Sequence, residues 1–319
     1  MEYIILAIGL FLLELTYFKV ANRFNIIDKP NKRSSHTEVT IRGGGIIFIF
    51  GILVWFVIYH FQYPYLVLGI FLISIISFLD DIFELSSKLR LFVQFLAVAL
   101  LLYQTGIADS EGIIYTVIAL IIIVGFNNAV NFMDGINGIT GLYALATLST
   151  LCYLNQGFLF VIPSIITYSI IGVFVFLFFN LRKNAICFAG DVGSVSLAFL
   201  LAFLVLSLIL HTQNLAYLLL FSVYGVDAVL TILHRLLKKE NIFKPHRSHL
   251  YQYLANEMAY SHVYVSLSYF AAQLIVNIIF IYLLTHFEVG QWTLLISILF
   301  FLSIIYIGLK IQVLRKNSV

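Results

Sequence analysis

The sequence predicts an all-α polytopic integral membrane protein of about eleven transmembrane helices, with the N-terminus outside and the C-terminus cytoplasmic. Three observations carry that prediction. Of 319 residues, 62% are hydrophobic and only 10% charged, against roughly 25% charged in soluble domains. Apolar runs near the ~20 residues needed to cross a bilayer recur along the whole chain. The Lys and Arg residues segregate when the connections between these runs are assigned alternately to two sides.

The runs fall at about 2–19, 43–60, 64–80, 89–105, 112–128, 139–155, 158–180, 194–211, 214–232, 263–286 and 292–311. The first lacks a small-residue cleavage site before a polar chain, so it reads as a retained helix, not a signal peptide. Connections are short, which predicts one transmembrane domain over 1–319. Its cytoplasmic loops lie at about 20–42, 80–90, 128–138, 181–194 and 233–262. With this count all 18 basic residues fall on one side, while Asp109, Glu111 and Glu288 mark the other. The net charge of +3 therefore reports topology and contact with anionic membrane lipid, not nucleic-acid binding. Cys152 and Cys187 fall near opposite faces, so no disulfide is expected and both read as packing residues.

Polar motifs sit at the mouths of these runs, where polar groups are costly. The first loop places Asp28, Lys29, Lys32, Arg33 and Arg42 before Gly43-Gly44-Gly45. Glycines there allow close backbone approach to a phosphate or, equally, close helix packing. The third run ends at Asp80-Asp81, two acids that need pairing, hydration or a metal; Glu84, Lys88 and Arg90 after them read as surface charge. Asn128, Asn131, Asp134 and Asn137 recur every third residue, which on a helix forms one polar face. Asp191 stands between Gly190 and Gly193, as an N-cap or as a hard oxygen ligand suited to Mg²⁺. Asp227 and Glu14 lie inside apolar runs, Asp227 with Arg235 as a candidate structural partner. In the long loop, His246-Arg247-Ser248-His249 suits phosphate oxygens better than zinc, since no cysteine accompanies the histidines.

These motifs share the cytoplasmic side. Carboxylates for a metal, amides for a polar ligand and basic groups for phosphates are what phosphoryl transfer requires, because its catalysis is mostly positioning and charge neutralisation. A transporter with functional intramembrane carboxylates is the competing reading. It would place essential acids near the midplane on broken helices, where only Asp227 and Glu14 qualify.

Taken in order, Asp80-Asp81, Asn128-x-x-Asn131-Phe132-Met133-Asp134-Gly135, Gly190-Asp191-x-Gly193-Ser194 and the His246–His249 motif resemble the polyprenyl-phosphate N-acetylhexosamine-1-phosphate transferases. The resemblance spans about residues 28 to 252. The first loop and the His-Arg-Ser-His form are most similar to the branch that initiates O-antigen. It implies that undecaprenyl phosphate attacks a UDP-activated N-acetyl sugar at a bacterial cytoplasmic membrane, releasing UMP. It further implies Asp191 as the ligand of Mg²⁺ (or substituting Mn²⁺). Asp80 and Asp81 would be the catalytic pair, shaping the charge near the lipid phosphate with one as its base, although alignment is more needed than a base because a phosphate monoester is already largely ionised at neutral pH. Asn128, Asn131 and Asp134 would line the donor pocket, and His246, Arg247, His249 and Arg42 would hold phosphates. Homodimers are frequent among such relatives. Many of them carry Asp where Asn137 stands, which removes a metal role there, and prolines where Val39 and Ile41 stand.

Overall fold

A backbone inside a bilayer must satisfy its own hydrogen bonds, so apolar runs of this length fold as helices. The structure, a computed structural model, describes residues 1–30, 35, 38–83, 85–241 and 247–316. In chain order its elements are α1 (Glu2–Arg23), β1 (Ile27–Asp28), β2 (Thr40–Ile41), α2 (Ile46–Ile58), α3 (Pro64–Phe83), α4 (Ser87–Thr105), the short α5 (Ile107–Ser110), α6 (Ile113–Met133), α7 (Ile139–Phe158), α8 (Pro163–Asn180) and α9 (Gly190–Thr212). A 3₁₀ segment (Leu215–Phe221) then runs into α10 (Ser222–Leu237), followed by α11 (Leu250–Gln252), a π turn (Tyr253–Glu257), α12 (His262–His286) and α13 (Gln291–Lys316).

Each of the eleven apolar runs is helical. Among the described residues nine helical segments are long and apolar enough to cross a membrane: α1, α3, α4, α6, α8, α9, Leu215–Leu237, α12 and α13. α2 has 13 residues, about 20 Å at 1.5 Å per residue. α7 carries Thr140, Thr147, Thr150 and Asn155 among its buried residues, which lowers its hydropathy and turns it toward protein.

α9 is the axis of the bundle. Its apolar window is 89% buried, and it packs against α2, α3, α4, α6 and α7. The windows of α6 and α13, each 22% buried, form part of the rim. Local chemistry sets the helix ends. Ser86 Oγ accepts from Leu89 N–H at 3.4 Å to start α4, and Gly106 closes it in the left-handed region; Pro163 stands in the first turn of α8. The break between the 3₁₀ segment and α10 is sealed by a buried amide from α12. Gln273 Nε2 donates to Leu219 O at 2.9 Å while its Oε1 accepts from Val223 N–H at 3.1 Å and from Tyr143 Oη at 3.0 Å.

The first loop is clipped to the start of α9. β1 and β2 pair antiparallel with Ile27 opposite Ile41. Phe188 N–H donates to Ile41 O at 2.8 Å, Gly44 N–H to Phe188 O at 2.8 Å and Gly45 N–H to Ala189 O at 3.1 Å. A Cβ at Gly45 would collide with the backbone of Gly193, so two glycines let α2 and α9 touch main chain to main chain. Of the two roles open to the triple glycine, close packing is the one seen at Gly45. Cys152 and Cys187 are both free thiols.

Candidate active site

Five helix ends meet at one end of the bundle: the starts of α2, α4 and α9 and the ends of α3 and α6. Asp80 and Asp81 close the last turns of α3. Asp191 opens α9, where Gly190 has φ +71°, a backbone state open to glycine at little cost. A Cβ there would also lie 2.6 Å from Asp81 Oδ2. Freed by this turn, the first N–H groups of α9 point at a carboxylate: Asp191 N–H and Val192 N–H donate to Asp81 Oδ1 and Oδ2 at 3.0 and 3.1 Å. Asp81 is thus an acid at a helix N-terminus, favoured by the helix dipole.

Two arginines tie the three acids together. Arg42 Nε meets Asp81 Oδ1 at 2.7 Å and its Nη2 meets Asp191 Oδ1 at 3.3 Å. Arg90 Nη1 meets Asp80 Oδ2 at 2.6 Å and Asp191 Oδ2 at 3.4 Å. Asn131 Nδ2 donates to Asp191 Oδ2 at 3.2 Å and is itself oriented by Ser194 Oγ, which donates to Asn131 Oδ1 at 2.7 Å. Tyr17 Oη donates to Arg42 O at 2.6 Å and fixes that loop. The acids next to Arg42 hold its pKa above the usual guanidinium value against the opposing effect of burial.

Asp80, Asp81, Asp191, Arg42 and Asn131 therefore share one cluster, and Arg90 belongs to it. The sequence reading of Arg90 as surface charge is corrected: the tight turn at Ser86 folds the first turn of α4 back against the last turn of α3. A basic residue ten positions beyond an acid across a turn signal is the clue that was available.

The polar row on α6 divides. α6 ends at Met133, so the helical face expected over four residues stops there. Asn128 faces α4, donating to Gln94 Oε1 at 2.7 Å and to Val124 O at 2.8 Å. Asp134 follows the helix end and accepts from Thr140 Oγ1 at 2.7 Å. Burial pushes its pKa up to about 7, opposed by the Thr140 hydrogen bond, reinforced by Asp191 and opposed by Arg42. Asn137 lies in the turn beyond, where its Nδ2 donates to Arg182 O and Lys183 O at 2.8 and 3.1 Å.

The segment from Ser248 to Leu250 is organised by Asp227 and its neighbour Thr231. His246 lies outside the described residues; Arg247 and His249 are described. Asp227 is 1% exposed and accepts from Tyr269 Oη at 2.6 Å and Leu250 N–H at 3.1 Å, with His249 Nδ1 at 3.2 Å. The candidate partner Arg235 instead pairs with Glu240 at 3.0 Å. His249 is buried on Asp227 and stacks on Tyr251, ring centres 5.8 Å apart. Tyr251 reaches the acidic turn of α6, donating to Phe132 O at 2.9 Å and covering Gly135. This contact docks the histidine–arginine loop onto the turn that carries Asp134. Asp227 serves that docking, which leaves the competing transporter reading without its main carboxylate.

A model of glycosyl transferase family 4 matches residues 63–209, from α3 through α9. The chain is 26% identical over 257 residues to a probable undecaprenyl-phosphate N-acetylglucosaminyl 1-phosphate transferase of Bacillus subtilis, covering 74% of this chain and 71% of that one. It is 27% identical over 264 residues to the undecaprenyl-phosphate alpha-N-acetylglucosaminyl 1-phosphate transferase of Yersinia pestis, covering 73% and 70%. Against the phospho-N-acetylmuramoyl-pentapeptide-transferase of Thermotoga neapolitana the identity is 30% over 233 residues, 66% of this chain and 74% of that one. A multi-pass helical bundle with acids gathered at one end, matched over most of its length by these enzymes, identifies the chain: it belongs to glycosyl transferase family 4, within the polyprenyl-phosphate N-acetylhexosamine-1-phosphate transferase superfamily.

Proposed function

We propose that this protein transfers an N-acetylated sugar 1-phosphate from a UDP-sugar to undecaprenyl phosphate at the bacterial cytoplasmic membrane. The observation that carries the reading is the cluster of Asp80, Asp81 and Asp191 with Arg42 and Arg90 at one end of a membrane-spanning bundle. An oxygen of the lipid phosphate attacks the sugar-bearing phosphorus. The bond from that phosphorus to the bridging oxygen breaks, the electrons leave with UMP, and undecaprenyl-pyrophosphate-sugar remains. Arg42 and Arg90 orient and neutralise phosphate oxygens, Asn131 and Asp134 present a polar wall to the donor, and Arg247 lies on the loop docked beside it. Asp81 keeps Arg42 in place and Asp80 keeps Arg90 in place. His249 acts from its buried seat on Asp227 by holding that loop.

The donor set fits Mg²⁺, with Mn²⁺ able to substitute. Asp191 is gripped only at 3.2–3.4 Å by Arg42, Arg90 and Asn131, long for charge-assisted bonds, whereas Asp80 and Asp81 have arginine partners at 2.6 and 2.7 Å. Asp191 is thus the carboxylate most open to exchange its partners for a cation. Among the described residues no group of three or more His, Cys, Asp or Glu side chains is placed to hold a metal ion, so on this reading the ion would be held by Asp191 together with substrate phosphates. When bound, that ion neutralises the donor pyrophosphate.

The positive-inside distribution supports a site facing the cytoplasm, where UDP-sugars are found. The first-loop resemblance supports the initiating step of O-antigen or a related surface glycan, and the names of two relatives make UDP-N-acetylglucosamine the first donor to test. Membranes carrying the chain, given undecaprenyl phosphate, Mg²⁺ and a panel of UDP-N-acetyl sugars, are expected to release UMP in a lipid-dependent, EDTA-sensitive reaction. Asp191→Asn should lower that release about 100-fold or more while the protein still inserts. Turnover without lipid, or full turnover in Asp191→Asn, would overturn the assignment.

A further inference from the structure

The last helix carries a buried cation that the reaction does not use. Lys310 of α13 is 6% exposed. Its ammonium donates to Tyr306 Oη at 2.6 Å and to Thr231 Oγ1 at 3.3 Å. Tyr306 Oη and Thr231 Oγ1 are 2.8 Å apart, and Thr231 Oγ1 lies 3.2 Å from Asp227 Oδ1 and 3.4 Å from Ser248 O. Thr231 is itself fully buried.

Proton arithmetic gives this chain a direction. An ammonium only donates and an ionised carboxylate only accepts, while each hydroxyl has one proton to give. One arrangement that satisfies every member runs from Lys310 to Tyr306, from Tyr306 to Thr231 and from Thr231 to Asp227, which Tyr306 also faces directly. Every hydroxyl dipole then points at the carboxylate, and each bond polarises the next. A buried carboxylate with no compensating cation is costly, and so is a buried ammonium. Each is here the other's counter-charge, relayed through two hydroxyls. Asp227 in turn holds Leu250 N–H and His249 Nδ1, and Thr231 touches the carbonyl of Ser248.

We propose that Lys310 is a positioning residue for the 247–252 segment, acting through Tyr306, Thr231 and Asp227 to fix the backbone that seats His249 and presents Arg247 to the site. This assignment rests on the proposed transferase reaction for its kinetic consequence, and on geometry alone for its structural one.

The test uses the full-length protein in lipid nanodiscs, with Lys310→Met, Lys310→Arg, Thr231→Val and Lys310→Met combined with Thr231→Val. Two readouts are taken: kcat and KM for UDP-N-acetylglucosamine, and amide hydrogen exchange over residues 248–252. Lys310→Met is expected to lower kcat about tenfold with KM changed less than twofold, and to speed exchange at Leu250 while α12 and the rest of α13 stay protected. Lys310→Arg should recover most of both. Thr231→Val should reproduce the loss, and the double variant should add little to either single one. Wild-type kcat and exchange in both Lys310→Met and Thr231→Val would overturn the proposal. So would exchange that rises uniformly through α12 and α13, which marks a role in general packing. If the wild type itself turns over no UDP-sugar, the reaction assignment fails, and the exchange arm still decides the role of Lys310.

Discussion

Asp134 illustrates how a single carboxyl reports its surroundings. Its pKa is pushed up to about 7 by burial, against 3.8 for an unhindered aspartate. Below pH 3.8 the folded and unfolded chains both hold the proton. Between 3.8 and about 7 the unfolded chain ionises first, so this residue lowers folding stability progressively as pH rises, and the penalty levels off above 7. Asn, which cannot ionise, escapes that penalty. Asp134→Asn should therefore melt at a higher temperature than wild type at pH 8, with the difference closing toward pH 4, as followed by thermal unfolding in detergent. The same residue scale shows what could be read from sequence. Asp80, Asp81, Asp191, Arg42 and Asn131 were each visible as polar residues at membrane mouths, and the structure gathers them. Arg90 was not, because a cation near a helix start looks the same whether it serves topology or an ion pair. The partner of Asp227 was missed for a related reason. Arg235 is near it in sequence, while His249, Leu250 and Tyr269 come from a loop and a later helix whose placement no local pattern encodes.

At the scale of elements, apolar length located the nine segments that are long and apolar enough to cross a membrane among the described residues, since a bilayer-spanning run leaves the backbone no other way to bond; the expected count of eleven also took in α2, which is shorter, and the more polar α7. Length did not reveal that α2 has only 13 residues or that the segment before α10 is 3₁₀. Both depend on partners: Gln273 for the break, and the α9 backbone for the start of α2. The three-residue polar period was followed past Met133, where the helix in fact stops and the chain turns to bring Asp134 against Thr140. The contact of Gly45 with Gly193 is the most sensitive of these element-level joints. Gly45→Ala inserts a methyl group into a main-chain contact on both sides and should cost about 1–3 kcal/mol. It is expected to lower the melting temperature of the purified protein and to reduce turnover, because Arg42 and Asp191 flank the displaced backbone. A melting temperature equal to wild type would show that α2 and α9 can separate without cost.

For the molecule as a whole, charge and hydropathy specify a bundle with one chemically equipped end. The prediction at this scale is orientation. With Cys152 and Cys187 replaced by Ala, a single cysteine at Glu111 or Glu288 should react with an impermeant maleimide added to intact cells. One at Asn184 should react only after the membrane is opened. Reversed labelling would place the acidic cluster outside the cell. The arginine–aspartate pairs also bear on how the protein is made. Arg90 and Asp80 are ten residues apart, so the α3–α4 hairpin leaves the ribosome already carrying the counter-ion of its own acid. Arg42 likewise precedes Asp81. Asp191 emerges more than a hundred residues after its arginine partners, so the pairs those cations make with Asp80 and Asp81 can form before it is made. On the proposed reaction, the arginines would thus serve first as escorts of Asp80 and Asp81, and as phosphate contacts only once α9 stands at the centre of the bundle.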